Sequence, residues 1–62
     1  MEEKMIKRIN KEIEWVKKMY DKQISSDTHM INIARLNGMI ELLSIATEKS
    51  YYYDENGLHE KQ

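Results

Sequence analysis

The stretch ARLNGMIELLSIA, from Ala34 to Ala46, carries more apolar surface than one neighbouring helix can cover. At about 100° per residue, Ile33, Leu36, Ile40, Leu43 and the methyl of Thr47 fall on one helical stripe. Ile31, Ala34, Gly38, Leu42 and Ile45 fall on a second, about 180° away, with Asn37, Glu41, Ser44 and Glu48 as a narrow polar strip between them. A helix apolar on two opposite sides needs two partners. The rest of this 62-residue chain supplies one further helix, so a second copy of the chain is the expected cover for the remaining stripe.

Chain length sharpens the same expectation. Near this size a single core is marginal and usually needs a disulfide, a metal or oligomerisation. The chain has no cysteine and only two histidines, which removes disulfides and thiolate zinc and argues against a structural metal. That leaves exceptionally good packing or self-association, of which self-association is the expected route, and no cofactor is expected.

The fold expected is all-α, an antiparallel two-helix hairpin that dimerises into a four-helix, coiled-coil-like bundle, with a short extended C-terminal arm. The hairpin is assigned to residues 1–50. Its first helix, about 2–23, has no internal Gly or Pro and repeats Ile6, Ile9, Ile13, Val16 and Tyr20 at three- and four-residue spacings, a single core-directed stripe. Residues 23–28, Gln-Ile-Ser-Ser-Asp-Thr, offer several N-caps, with Ile24 as a hydrophobic staple, for a second helix of about 27–49. Such a short connection makes the helices antiparallel. His29, in its first turn, reads as a surface residue. Residues 51–62 form an extended or hairpin-like, partly flexible tail, because strand-favouring tyrosines precede Asn56-Gly57, a strong turn signal, and the last residues from His59 are expected to fray.

Three groups of residues are candidate sites. Ile31, Ala34, Gly38, Leu42 and Ile45 are the expected oligomer interface. A mid-helix glycine costs about 1 kcal/mol relative to alanine, and its small-x-x-x-small spacing with Ala34 places Gly38 near a dimer axis, a kink or a simply tolerated glycine being the alternative. Lys4, Arg8, Lys11, Trp15, Lys18 and Lys22 fall within about 80° of one another on the far side of the first helix. They read either as a face that binds a partner or an anion around one tryptophan, or as a solvated face with Trp15 lying across lysine stems. Arg35, Tyr51, Tyr52, Tyr53 and His59 are the candidate ligand set, a guanidinium fork with aromatic walls at a subunit interface. The favoured readings are structural, Arg35 as a partner of Glu12 or Glu14 or snorkelling to solvent, and the tyrosines as a cover for the end of the bundle.

Charged residues make up 34% of the chain and the net charge is −1, a mixed-charge surface without the strong basic field of a dedicated DNA-binding module. No apolar run approaches the roughly 20 residues of a membrane span, and the start MEEKMIKR lacks a signal-peptide core. A cytoplasmic protein with no membrane partner is expected. Gly-rich phosphate loops, HExxH, nucleophile elbows and EF-hand loops are absent, and the carboxylates are expected mostly on solvent faces, so the chain reads as non-catalytic.

The run Glu12-Ile13-Glu14-Trp15-Val16-Lys17-Lys18-Met19-Tyr20, followed by Leu36-Asn37-Gly38-Met39-Ile40, resembles the small helical-hairpin aspartyl-phosphate phosphatases that act on sporulation response regulators. The resemblance covers about half the chain and implies a helical hairpin. That family's Ser-Gln-x-Leu-Asp signature falls on Ile33, Ala34, Arg35, Leu36 and Asn37, so serine, glutamine and aspartate are missing and the phosphatase activity does not carry over. By size and composition the chain is also similar to accessory proteins of phages and mobile elements. The function expected is homo-oligomeric binding of another protein. The alternatives are an anionic, nucleotide-like small ligand held between subunits, and nucleic acid bound through the Lys/Arg/Trp face.

Overall fold

The computed structural model describes residues 2–22 and 25–61. Helix α1 spans Glu2–Asp21, helix α2 Ser26–Thr47, strand β1 Ser50–Asp54 and strand β2 Gly57–Lys61. Glu2 and Glu3 sit in the first turn of α1 and Lys18 in its last, each on the side the helix dipole favours. Ser25, in extended conformation, caps α2: its Oγ accepts from the Thr28 N–H at 3.2 Å. The second helix therefore begins just before the expected Asp27. It stops at Thr47 because Glu48 turns left-handed (φ 56°), sending the chain back along the hairpin. The proposed Ile24 staple lies outside the described residues.

The two helices pack through Ile9, Ile13 and Val16 of α1 and Leu36, Ile40 and Leu43 of α2, all buried. Leu36 and Leu43 are 1% and 0% exposed, which makes them the centre of the seam. Ile6 and Ile33 pack at its edge. Tyr20 departs from its expected place in the stripe: it is 62% exposed, and its ring lies 4.8 Å from that of His29 at the turn end of the hairpin. Asn32 is buried in the first turns of α2, with no hydrogen-bond partner for its Nδ2 among the described residues.

The all-α expectation holds as far as Thr47. Beyond it the tail is a two-stranded antiparallel sheet, paired from Ser50↔Lys61 to Asp54↔Gly57, so His59 to Lys61 are strand rather than frayed ends. Strand alternation turns Tyr51, Tyr53 and Leu58 onto the helical core and leaves Tyr52 outward. Asn10 of α1 fixes the hairpin in place, its Oδ1 accepting from the Leu58 N–H at 2.9 Å. The loop residues Glu55 and Asn56 lack positive φ, and the left-handed step falls on Gly57 (φ 118°), one residue later than an Asn-Gly turn centre. Any Cβ at Gly57 would also stand 2.7 Å from Asn10 Oδ1, so glycine is required there twice over.

Lys49 ties three elements together, with Nζ 3.1 Å from Glu2 Oε1 and 3.7 Å from Glu60 Oε1. The hydrogen bond to Glu2 and the charges of Glu2 and Glu60 raise the Lys49 pKa, so this tie is fully present below the ordinary lysine value and is lost as pH rises through the raised one. Among the described residues, no helix is long and apolar enough to cross a membrane. Truncation at the centre of the seam, Leu43→Ala, is expected to cost about 2–5 kcal/mol, against a total stability on the order of 3–9 kcal/mol for a chain of this length. Urea unfolding followed by circular dichroism measures it, and a loss below about 1 kcal/mol would show that the seam does not hold the fold.

Candidate functional site

The five residues of the expected oligomer interface all lie on the uncovered side of α2. Ile31, Leu42 and Ile45 are 68%, 65% and 69% exposed, and Ala34 and Gly38 between them are exposed as well. Among the described residues a Cβ at Gly38 would meet nothing within 4 Å, so no contact between them requires a glycine at this position. The neighbouring Met30 is 68% exposed. Contiguous apolar surface of this kind marks interaction sites more often than scattered single residues do.

This stripe does not stop at the edge of α2. A groove of about 300 Å³ between the helices is lined by Lys4, Met5, Arg8, Ile9, Met39 and Leu42. It joins the outer stripe, through Leu42, to the basic face of α1, through Lys4 and Arg8. Two groups of residues that the sequence places on separate helices thus meet along one surface.

Further along that surface Glu12 is buried, contrary to its expected solvent position, and two arginines hold it. Arg35 Nη2 lies 2.8 Å from Glu12 Oε2, and Arg8 Nη2 lies 3.1 Å from Oε1. A buried carboxylate needs such partners, because desolvation without them would cost several kcal/mol. The Arg35 guanidinium also sits 5.5 Å from the centroid of the Trp15 ring, a cation–π contact. Trp15, 41% exposed, is therefore in contact with Arg35 of the other helix and shares its face of α1 with the exposed lysines at positions 4, 11, 18 and 22.

The candidate ligand residues do not converge. Arg35 is engaged with Glu12 and Trp15, Tyr51 and Tyr53 pack on the core, and Tyr52 and His59 stack on the outer face of the hairpin with ring centroids 5.1 Å apart. The second cavity, about 610 Å³, lies between α1 and the hairpin loop; Lys17, Lys18, Glu14, Asp21 and Glu55 give its walls mixed charge. Neither cavity is lined by Arg35, the tyrosine triplet or His59. No group of three or more His, Cys, Asp or Glu suited to a metal occurs among the described residues.

On the hairpin, Asp54 Oδ1 accepts from the Asn56 N–H at 2.8 Å and lies 2.9 Å from His59 Nε2. The hydrogen bond from His59, then that from Asn56, hold the Asp54 carboxyl below the usual carboxylate range. A lowered folded-state pKa stabilises the folded hairpin above the unfolded aspartate value, and the contribution disappears as pH falls through the folded value. An NMR titration of the Asp54 carboxyl is expected to show a midpoint below 3.8, moving back toward that value in His59→Ala. A midpoint unchanged by the substitution would remove His59 as the cause.

No protein-family model, curated protein or solved structure matches this chain.

Proposed function

We propose that the protein acts without catalysis, as a homo-oligomer that binds another protein. The observation that carries this reading is the uncovered apolar side of α2, where Ile31, Leu42 and Ile45 remain about two-thirds exposed around a glycine with no internal use. Fully burying each such side chain is worth about 1.5–3 kcal/mol, and a small chain with a single core has few other sources of stability. A second copy covers this side and brings four helices into one assembly.

Partner binding is assigned to the surface that assembly leaves open: Trp15, clamped by Arg35, within the basic face of Lys4, Arg8, Lys11, Lys18 and Lys22. A rigid aromatic flanked by cations suits an acidic partner surface, since aromatic and arginine side chains dominate the energetic centres of protein interfaces.

The two surfaces are separable by substitution. Ile45→Lys is expected to keep the wild-type helical circular dichroism while eluting as a smaller species in gel filtration, whereas Trp15→Ala keeps the wild-type size and loses captured partners. Identical elution of Ile45→Lys and wild type would contradict assembly through α2, and an unchanged set of captured proteins would remove Trp15 from the account.

A further inference from the structure

The outer stripe of α2 has the same spacing in both directions, although Ala34 and Leu42 differ in size. Ile31, Ala34, Gly38, Leu42 and Ile45 are separated by three, four, four and three residues, a spacing symmetric about Gly38. We infer that two copies meet through α2 in an antiparallel, two-fold arrangement with the symmetry axis at Gly38, setting Ile31 against the partner's Ile45 and Ala34 against the partner's Leu42. This inference rests on the self-association proposed above and adds its direction and register.

Volume selects the direction. A two-fold contact is isologous, so each residue and its counterpart occur in both halves of the interface. In the antiparallel arrangement the small Ala34 faces a leucine on both sides of the axis, and both end layers contain two isoleucines. The layers flanking the axis are then equally thick, as close packing requires. A parallel pair would instead set alanine against alanine and leucine against leucine. The layer on the Ala34 side of Gly38 would then be thin and the layer on the Leu42 side thick, while the isoleucine layers at the ends are the same in either direction.

Gly38 fits this arrangement better than any internal role. Its missing Cβ faces open space within the chain, and removing a side chain at a crossing point lets two helix backbones come close. Charge does not oppose it. The antiparallel relation brings the Arg35 flanks of the two copies to the same side, but each Arg35 is already paired with its own Glu12. Glu41 and its counterpart stand about six residues apart along the axis, about 9 Å at 1.5 Å rise per residue, close to one screening length at physiological salt. An interface at the low end for stable complexes, about 600 Å² per partner, would cover about an eighth of the 5032 Å² surface of the chain.

Assembly architecture follows from the same geometry. The buried and exposed stripes of α2 lie on opposite sides of the helix, so the partner's α2 approaches from the side away from α1. The four helices then line up as a layer with the two copies of α2 inside and the two copies of α1 outside, rather than closing into a square bundle. Lys4 and Arg8 border this contact through the groove they share with Leu42, while Trp15, Lys11 and Lys18 remain open in both copies.

The chain has no cysteine, so introduced thiols report without background. Ile31→Cys and Ile45→Cys, both at exposed positions, are treated with a short bis-maleimide, separately and as an equimolar mixture, and sedimentation records the mass of each untreated protein. Covalent dimer formed mainly between Ile31→Cys and Ile45→Cys chains is the expected result. Efficient linking of each variant to itself would establish a parallel contact and overturn the inference, while leaving self-association in place. A dimeric mass with no linking in any sample would move the contact to another surface and overturn it equally. A monomeric mass throughout would instead remove the self-association beneath it. Gly38→Ala supplies an independent check: helicity is retained, and dimer dissociation is strengthened by at least about tenfold as a methyl group enters each side of the axis. An unchanged dissociation constant would contradict the axis at Gly38.

Discussion

Everything in this fold is referred to the apolar seam between Ile9, Ile13 and Val16 and the facing Leu36, Ile40 and Leu43. The seam is short, and it uses only one side of α2. Because α1 and the hairpin together occupy that side and its flank, the opposite side meets nothing among the described residues. The exposed stripe is thus a direct consequence of how the core is built, rather than a local irregularity of surface composition. Chains with one small core are marginally stable, and covering such a stripe adds to stability as well as to assembly.

Around the seam a few polar contacts set the relative position of the elements. Glu12 is the most consequential, since its two arginines come from different helices and one of them orients Trp15. The ion pair therefore links packing to the surface assigned to partner binding: a change at Glu12 would free Arg35 and with it the tryptophan. Asn10 plays a comparable part for the hairpin, joining positions 48 residues apart in sequence. Lys49 closes the arrangement at the N-terminal end of α1.

Periodicity alone makes the two helices, their buried apolar residues and the uncovered stripe legible in the sequence, because a 3.6-residue repeat maps directly onto a face. Pairing of Arg35 with Glu12 is one of the options that the spacing allows. What escapes is tertiary. Burial of Glu12 depends on how far α2 wraps over the flank of α1, and the charged neighbours Lys11 and Glu14 hide it in a pattern reading. Asn32 is hidden in the same way between Ile31 and Ile33. Tyr20 satisfies the stripe but stands at the turn end, where His29 is the aromatic that faces it. The sheet is the largest departure from an all-α fold: its register depends on where the left-handed step falls, and its docking depends on a single asparagine contributed by α1.

Whether the uncovered side of α2 is covered by another copy is tested most directly by the solution mass of the wild-type chain over a dilution series, measured by sedimentation equilibrium. A dimeric mass at high micromolar concentration that falls toward the monomer on dilution is the expected result. A monomeric mass at every concentration, with the helices intact by circular dichroism, would contradict it.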